Sequence, residues 1–288
     1  MKLWWNGTIC DESEAVIPVT DHGFLYGMGL FETFRTYGGK PFLLDRHVAR
    51  LREGCAELRF AYEPSEADIA AAVAALLRAN DLEDAYVRWS VSAGSAPLGL
   101  PAPTGYASPN VLVMAKPLGT GSPASKELHV LKLPRSTPEG AVRRKSFHYM
   151  NNILAKWELA ARTASPQAEG LLTAADGIVV EGIVSNAFWA AGGALYTPSV
   201  ETGCLPGVTR EAVLMLAREA GLPVIEGRFP WEALLAADEA FVTNSVQELT
   251  PVSALYDADG VMRKRWSPEA GPITNALSRA YRALTARE

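Results

Sequence analysis

Lys145 is the side chain from which chemistry can be built. It stands inside Arg143 to Trp157, RRKSFHYMNNILAKW, between an alternating stretch upstream (Leu128 to Leu133, LHVLKL) and a run downstream in which Met150, Ile153, Leu154, Trp157 and Ala161 recur at helical spacing. That places Lys145 at a strand-to-helix junction. A lysine in an apolar, partly desolvated junction can lose its proton near neutral pH and form a Schiff base with a carbonyl, whereas a lysine on a helix surface stays an ammonium. Most of the 27 Lys+Arg are expected in solvent, so Lys145 acquires meaning only from its company.

Several segments supply that company. Asp21 to Tyr37, DHGFLYGMGLFETFRTY, brings glycines into a bend and then alternates, so that Phe31, Thr33, Arg35 and Tyr37 share one strand face while Glu32 and Phe34 point to the other. Taken alone, Arg35 fits the watery side of a half-buried strand, and Thr33 fits ordinary strand preference as well as it fits catalysis. Ala85 to Ser92 (AYVRWSVS) alternates too, with Tyr86, Arg88, Ser90 and Ser92 on one side and Val87, Trp89 and Val91 on the other. Gly38-Gly39 turns the first of these strands into KPFLL, after which Asp45 is expected to cap a helix whose buried stripe is Val48, Leu51, Cys55 and Leu58, with Arg46 and Arg50 off it.

The remaining elements read as a frame for these side chains. Residues 2 to 9 (KLWWNGTI) carry an Asn6-Gly7 turn signal and predict a hairpin, and Ile69 to Leu77 is an alanine-rich core helix. LLTAADGIVVEG predicts a hairpin closed at Asp176-Gly177, with Glu181 at the end of its second strand, and NAFWAAGGALYTP predicts another. Gly203 to Glu219 passes from a glycine-containing loop into a helix with Val213, Leu214, Leu216 and Ala217 inward; such a start offers backbone N–H groups and a positive dipole end to a phosphate. Glu239 to Val252 gives two strands with Thr243, Asn244 and Ser245 in the turn, and a terminal helix runs through Leu277 and Tyr281. Pro117 to Ser125 (PLGTGSPAS) is the best linker, which predicts an N-terminal α/β domain over 1–117, a linker over 118–125 and a C-terminal domain over 126–288.

Bulk properties narrow the function classes. A chain of 288 residues with 48% hydrophobic content can bury a sizeable core, and a net charge of -5 without charged blocks gives no footprint for nucleic acid or an anionic membrane. Cys10, Cys55 and Cys204 are odd in number and far apart, so neither a disulfide framework nor a thiolate metal site is indicated. No metal is expected. Acidic residues occupy the N-terminus where a signal peptide needs an apolar stretch, and the protein is expected to be cytoplasmic. There is no HExxH, P-loop or full GxGxxG, and the four histidines do not form a spaced triad.

Taken in order, DHGFLYGMGLFETFR, LLDRHVARL, RRKSFHYMNNILAK, VVEGIVSNAFW, LPGVTR and DEAFVTNSVQE resemble the fold-type IV family of pyridoxal-phosphate enzymes, which holds branched-chain and D-amino-acid aminotransferases and aminodeoxychorismate lyases. The agreement spans nearly the whole chain. The HGFLYGxGxFETFR start, the TPEG at Thr137 to Gly140, KSxHYxNN and TNSVxE are most similar to the lyases, which form p-aminobenzoate. The resemblance implies a two-domain α/β (α+β) fold, with a smaller N-terminal domain and a larger C-terminal pseudo-barrel, and pyridoxal 5′-phosphate in the cleft. It also implies a homodimer with shared active sites, acting on a small amino substrate.

By resemblance, the catalytic residues are Lys145, Thr33 and Glu181. Lys145 holds the coenzyme and serves as the base, Glu181 bonds the pyridine nitrogen, and Thr33 relays a proton to the departing enolpyruvyl group. The coenzyme is expected at Lys145, Arg50, Glu181, Ser185, Asn186, Val208, Thr209, Asn244 and Ser245, with Arg50 on the phosphate. The substrate is expected against Tyr26, Phe31, Arg35, Arg88 and Tyr149. Branched-chain enzymes usually carry glycine where this chain has Thr33. The Arg-x-His pair of many D-amino-acid enzymes is replaced here by Ala93-Gly94-Ser95, and His148 stands where other members often have Asn. The expected reaction is Schiff-base exchange, deprotonation and β-elimination on 4-amino-4-deoxychorismate. The alternatives are aminotransfer on D- or branched-chain amino acids and, from a different class, a non-catalytic coenzyme carrier.

Overall fold

The computed structural model describes residues 1–119 and 124–285. These fall into two compact units, one made of 1–119 with Arg144–His148 and the other of 124–143 with 149–285. Residues 120–123 of the expected linker lie outside the described residues.

In the first unit a hairpin pairs β1 (Lys2–Trp5) with β2 (Thr8–Asp11), and a short helix α1 (His22–Tyr26) precedes β3 (Gly29–Tyr37). Then follow β4 (Lys40–Pro41), α2 (Leu44–Glu57), α3 (Glu66–Ala79), β5 (Ala85–Ser92) and β6 (Asn110–Pro117). The sheet runs β2-β1-β6-β5-β3-β4. β3 and β5 are antiparallel with Phe31 opposite Ser90 and Thr33 opposite Arg88, so the polar faces expected on these two strands are one continuous face. The opposite face carries Leu30, Phe34, Val87, Trp89 and Val91 into a core closed by Val48, Leu51 and Cys55 of α2 and Ile69, Val73, Leu76 and Leu77 of α3. α3 starts on a capping box in which Ser65 and Asp68 exchange bonds.

The second unit contains β7 (Lys126–Val130), α4 (Met150–Arg162), β8 (Ala168–Thr173), β9 (Val179–Gly182), β10 (Asn186–Ala191) and β11 (Ala194–Pro198). α5 (Val208–Glu219), β12 (Val224–Gly227), β13 (Glu239–Asn244), β14 (Glu248–Tyr256), β15 (Met262–Arg265) and α6 (Pro272–Thr285) complete it. Among the described residues the sheet order is β12-β11-β10-β13-β14-β7-β8-β9, with β15 on β14. Local hairpins are antiparallel, as their turn residues require, whereas β7 lies parallel to both β14 and β8. Trp189, Leu171, Val242 and Leu255 centre its core.

Four local expectations change. The strand expected at Leu128 to Leu133 runs instead over Lys126–Val130. Asp45 does not cap α2: the N-cap is Leu43 in the left-handed region (φ 51°), and Asp45 lies inside the first turn, where its charge meets the helix dipole. Thr243 and Asn244 finish β13, leaving Ser245 to begin the turn. The fourth change is the largest. The apolar stripe of α4 faces away from its own unit: Met150 is 73% exposed and Trp157 65%, while Asn152, Ala155 and Leu159 form the buried side. Ala155 and Leu159 share a core with Ala168 and Leu172 of β8, and the larger Met150 and Trp157 are left outside.

Candidate active site

The first group of functional side chains belongs to the first unit. The segment around Lys145 lies along the start of β3: the Phe31 N–H donates to the Lys145 carbonyl at 2.8 Å and the Phe147 N–H donates to the Gly29 carbonyl at 2.9 Å. This close approach depends on Gly29, because a Cβ there would meet the Phe147 ring at 2.2 Å. Next to it, Arg144 donates to Glu57 at 2.5 Å and Glu53 at 3.0 Å, fastening the segment to α2. The Lys145 side chain consequently reaches the polar face of β3, with its Nζ 4.6 Å from the centre of the Phe31 ring. Arg88 reaches the same ring, its guanidinium carbon 3.7 Å from the centre. Thr33 follows Phe31 on that face, and Arg35 follows Thr33, with its guanidinium 4.3 Å from the Tyr37 ring. An amine, a hydroxyl and two guanidiniums thus share one face, which favours an anionic ligand.

The other side of β3 carries an arrangement that the alternation alone did not reveal. Glu32 is 2% exposed. Its carboxylate accepts from Arg50 Nε at 2.8 Å and Nη2 at 2.6 Å, and from His47 Nδ1 at 2.7 Å. Burial pushes the Glu32 carboxyl up, but the Arg50 charge and the bonds from His47 and Arg50 outweigh it and hold the group at about 2. For His47 burial dominates and lowers its pKa against the opposing pull of Glu32, so the ring is neutral and Nδ1 carries the proton given to Glu32. One signal was available in the sequence: Glu32 shares its strand face with Phe34, the core side, opposite a helix that offers His47 and Arg50 three residues apart.

Tyr26 accepts the Gly99 N–H at 3.1 Å through its hydroxyl. His148, exposed, donates from Nε2 to the Tyr26 carbonyl at 3.3 Å.

The second group belongs to the second unit. Glu181, on β9, is 5% exposed and has both oxygens engaged: Arg135 Nε donates to Oε1 at 2.8 Å and the Leu205 N–H donates to Oε2 at 2.9 Å. Arg143 Nε stands 3.8 Å from Oε1. Arg135 is a residue that sequence reasoning passed over, since nothing in its spacing ties it to Glu181. Ser185 donates to Glu169 at 2.8 Å, the Asn186 amide donates to the Leu205 carbonyl at 3.0 Å, and Asn244 Oδ1 accepts the N–H groups of Val246 and Gln247 at 3.0 and 2.8 Å. These three therefore hold the loops in shape. α5 starts at Gly207 without a side-chain cap, which leaves its first N–H groups to a ligand. Val208 and Thr209 form its first turn, and the Thr209 and Ser245 hydroxyls lie 3.4 Å apart beside it. Gly207 is required there, because a Cβ would meet Asn186 Oδ1 at 2.1 Å. Tyr149 precedes α4 as its N-cap residue.

Residues 29–255 match the family model for amino-transferase class IV. The chain is 43% identical over 283 residues to the aminodeoxychorismate lyase of Bacillus subtilis (strain 168), with 97% of this chain and 93% of that one covered. It is 30% identical over 295 residues to the branched-chain-amino-acid aminotransferase of Escherichia coli K12, covering 98% and 92%. Among solved structures, the branched-chain aminotransferase of Thermoproteus uzoniensis with norvaline superposes with a TM-score of 0.86 at 30% identity, covering 100% of this chain and 96% of that one. The chain belongs to the class IV aminotransferase family and has the mixed α/β, fold-type IV architecture of those enzymes.

Pyridoxal 5′-phosphate is the coenzyme of this family, and the residues present fit it. Taken unit by unit, the first offers an amine at Lys145, and the second offers a helix start without a side-chain cap beside two hydroxyls at α5, a setting suited to a phosphate, and a buried carboxylate at Glu181. Among the described residues no cluster of His, Cys, Asp or Glu is placed to hold a metal, and no helix is long and apolar enough to cross a membrane.

Proposed function

We propose that this enzyme is a 4-amino-4-deoxychorismate lyase that releases pyruvate and forms p-aminobenzoate with the help of pyridoxal 5′-phosphate. The observation that carries the reading is the shared face of Lys145, Thr33, Arg35 and Arg88, which suits an amine bearing two carboxylates. The identity with the Bacillus subtilis lyase supports it.

When bound, the coenzyme draws off the electron pair left at the amine-bearing carbon. Lys145 would hold the coenzyme through its Nζ, and the same amine, when free, is the base that removes the proton from that carbon. Glu181 holds a proton at the pyridine nitrogen, with Arg135 and the Leu205 N–H fixing the direction of its carboxylate. Arg50, the Val208 and Thr209 backbone and Ser245 bind the phosphate; Ser185, Asn186 and Asn244 keep the surrounding loops in place. Arg35 and Arg88 bind the substrate carboxylates, aided by Tyr26, Phe31 and Tyr149. Thr33 relays to the oxygen of the leaving enolpyruvyl group the proton that Lys145 took from the carbon, so that its hydroxyl is restored as the carbon–oxygen bond breaks. Loss of the ring proton and of that group leaves an aromatic ring, which drives the step.

A second reading is aminotransfer on D- or branched-chain amino acids, of which the branched-chain form is favoured by the identity with branched-chain enzymes. The two separate in one assay, with purified protein given enzymatically generated aminodeoxychorismate, D-alanine or L-leucine. The lyase reading expects p-aminobenzoate in step with pyruvate, abolished in Lys145→Ala and reduced about 100-fold or more in Thr33→Gly. Rapid conversion of the coenzyme to its amine form by an amino acid, with no p-aminobenzoate, rejects it. Borohydride followed by peptide mapping is expected to fix the coenzyme on Lys145.

The exposed Met150, Ile153, Leu154 and Trp157 face of α4 supports a homodimer, since a contiguous apolar stripe on a helix calls for a cover.

A further inference from the structure

The Glu32–His47 pair has no part in the chemistry described above, yet it is a buried acid held by a buried neutral histidine against one edge of Arg50. We infer that Glu32 and His47 are positioning residues that aim the Arg50 guanidinium, and that the preference of this protein for a phosphorylated ligand depends on their grip. This rests on the reading of Arg50 as a phosphate ligand.

A guanidinium has five N–H donors in a rigid plane, so two bonds to one carboxylate fix both the plane and the direction of every other donor. Here Nε and Nη2 of Arg50 meet the two oxygens of Glu32 at 2.8 and 2.6 Å. His47 then donates at 2.7 Å to Oε2, the oxygen that also takes Nη2, which stops the carboxylate from rotating away. His47 is in turn held by the Phe34 ring, 5.3 Å between centroids. The acid, the histidine and the arginine come from β3 and α2, two packed elements rather than loops, so the aim is set by the fold.

Two effects of opposite sign compete. The negative charge of Glu32 beside Arg50 diminishes the pull on a phosphate, so removing it should tighten binding. Loss of aim should weaken it. Charge-assisted, two-point contacts are strongly directional, and a guanidinium that must first be ordered loses part of its affinity to side-chain entropy. Aim is expected to win.

The test compares the full chain with Glu32→Gln, His47→Gln, His47→Leu and Arg50→Met, measuring the equilibrium dissociation of pyridoxal 5′-phosphate and of unphosphorylated pyridoxal. The readout is the ratio of the two constants, with the pyridoxal constant as an internal control for a folded site. Arg50→Met should collapse the ratio. Glu32→Gln should lower it about tenfold with pyridoxal binding within about twofold of wild type. His47→Leu should lower it about threefold or more, and His47→Gln, which can still donate, should restore most of it. If Arg50→Met leaves the ratio unchanged, the phosphate reading of Arg50 fails. If Arg50→Met collapses it but Glu32→Gln leaves it unchanged or raises it, the positioning role is overturned and Glu32 acts only through charge. Should Glu32→Gln not fold, the contrast between His47→Leu and His47→Gln decides.

Discussion

Glu32 and His47 are expected to make the stability of the protein sensitive to acid. Glu32 is held at about 2, well under the roughly 4.3 of an exposed glutamate, and burial lowers His47 beneath its ordinary value of about 6.5. Both shifts mean that the unfolded chain binds more protons than the folded one, so stability must fall as pH falls. The His47 part is complete above about 6.5 and diminishes as pH drops below it; the Glu32 part is complete above about 4.3 and is lost on the way to 2. Urea unfolding from pH 8 down to pH 5 is expected to show a decline, and His47→Gln should flatten it over that range. A variant with the wild-type slope would show that other groups set the acid limb.

At the scale of elements, α4 and α5 are built for opposite tasks. α4 offers its large apolar side chains to the outside, so its stability within one chain rests on Ala155, Leu159 and the bond from Asn152 to the Ile183 carbonyl at 2.6 Å. If wild type runs as a dimer, Trp157→Glu should therefore leave the secondary structure intact while shifting the mass by size-exclusion and light scattering toward one chain; a dimeric mass kept by the variant would show that α4 is not the contact. α5 is instead defined by its start. Gly207→Ala forces Asn186 away from the position in which it holds the Leu205 carbonyl, and is expected to cost about 1–3 kcal/mol by urea unfolding. Leu205 is also the residue whose N–H holds Glu181, so the same variant should loosen the grip on that carboxylate.

At the scale of the molecule, the cysteines report on the integrity of both units. Cys55 lies in the core of the first unit and Cys204 in the second, and burial pushes their thiols up to about 12 and about 11. Cys10 is half-buried on β2. A thiol reagent such as dithionitrobenzoate at pH 8 is expected to react quickly at Cys10 and at the other two only as fast as the chain unfolds, since a buried protonated thiol is a poor nucleophile. Rapid reaction at Cys204 would show that the loop before α5 opens on its own. If the chain dimerises, dilution should lower its melting temperature by mass action.

Local spacing was enough for much of this. Turn residues such as Asn6-Gly7, Asp176-Gly177 and Gly192-Gly193 determined the hairpins, because only glycine and asparagine accept their backbone angles cheaply, and strand alternation determined that Phe31, Thr33 and Arg35 share a side with one another. The ordered motifs determined the family. Tertiary structure alone decided that Arg144–His148 joins the first unit, that β7 lies parallel to β14 and β8, and that Arg135 holds Glu181. It alone decided that Glu32 is buried on two partners and that the apolar stripe of α4 looks outward. The reason is that periodicity reports what one element can present, whereas a buried charge or an exposed helix face is settled by which distant residue the packed chain brings opposite it.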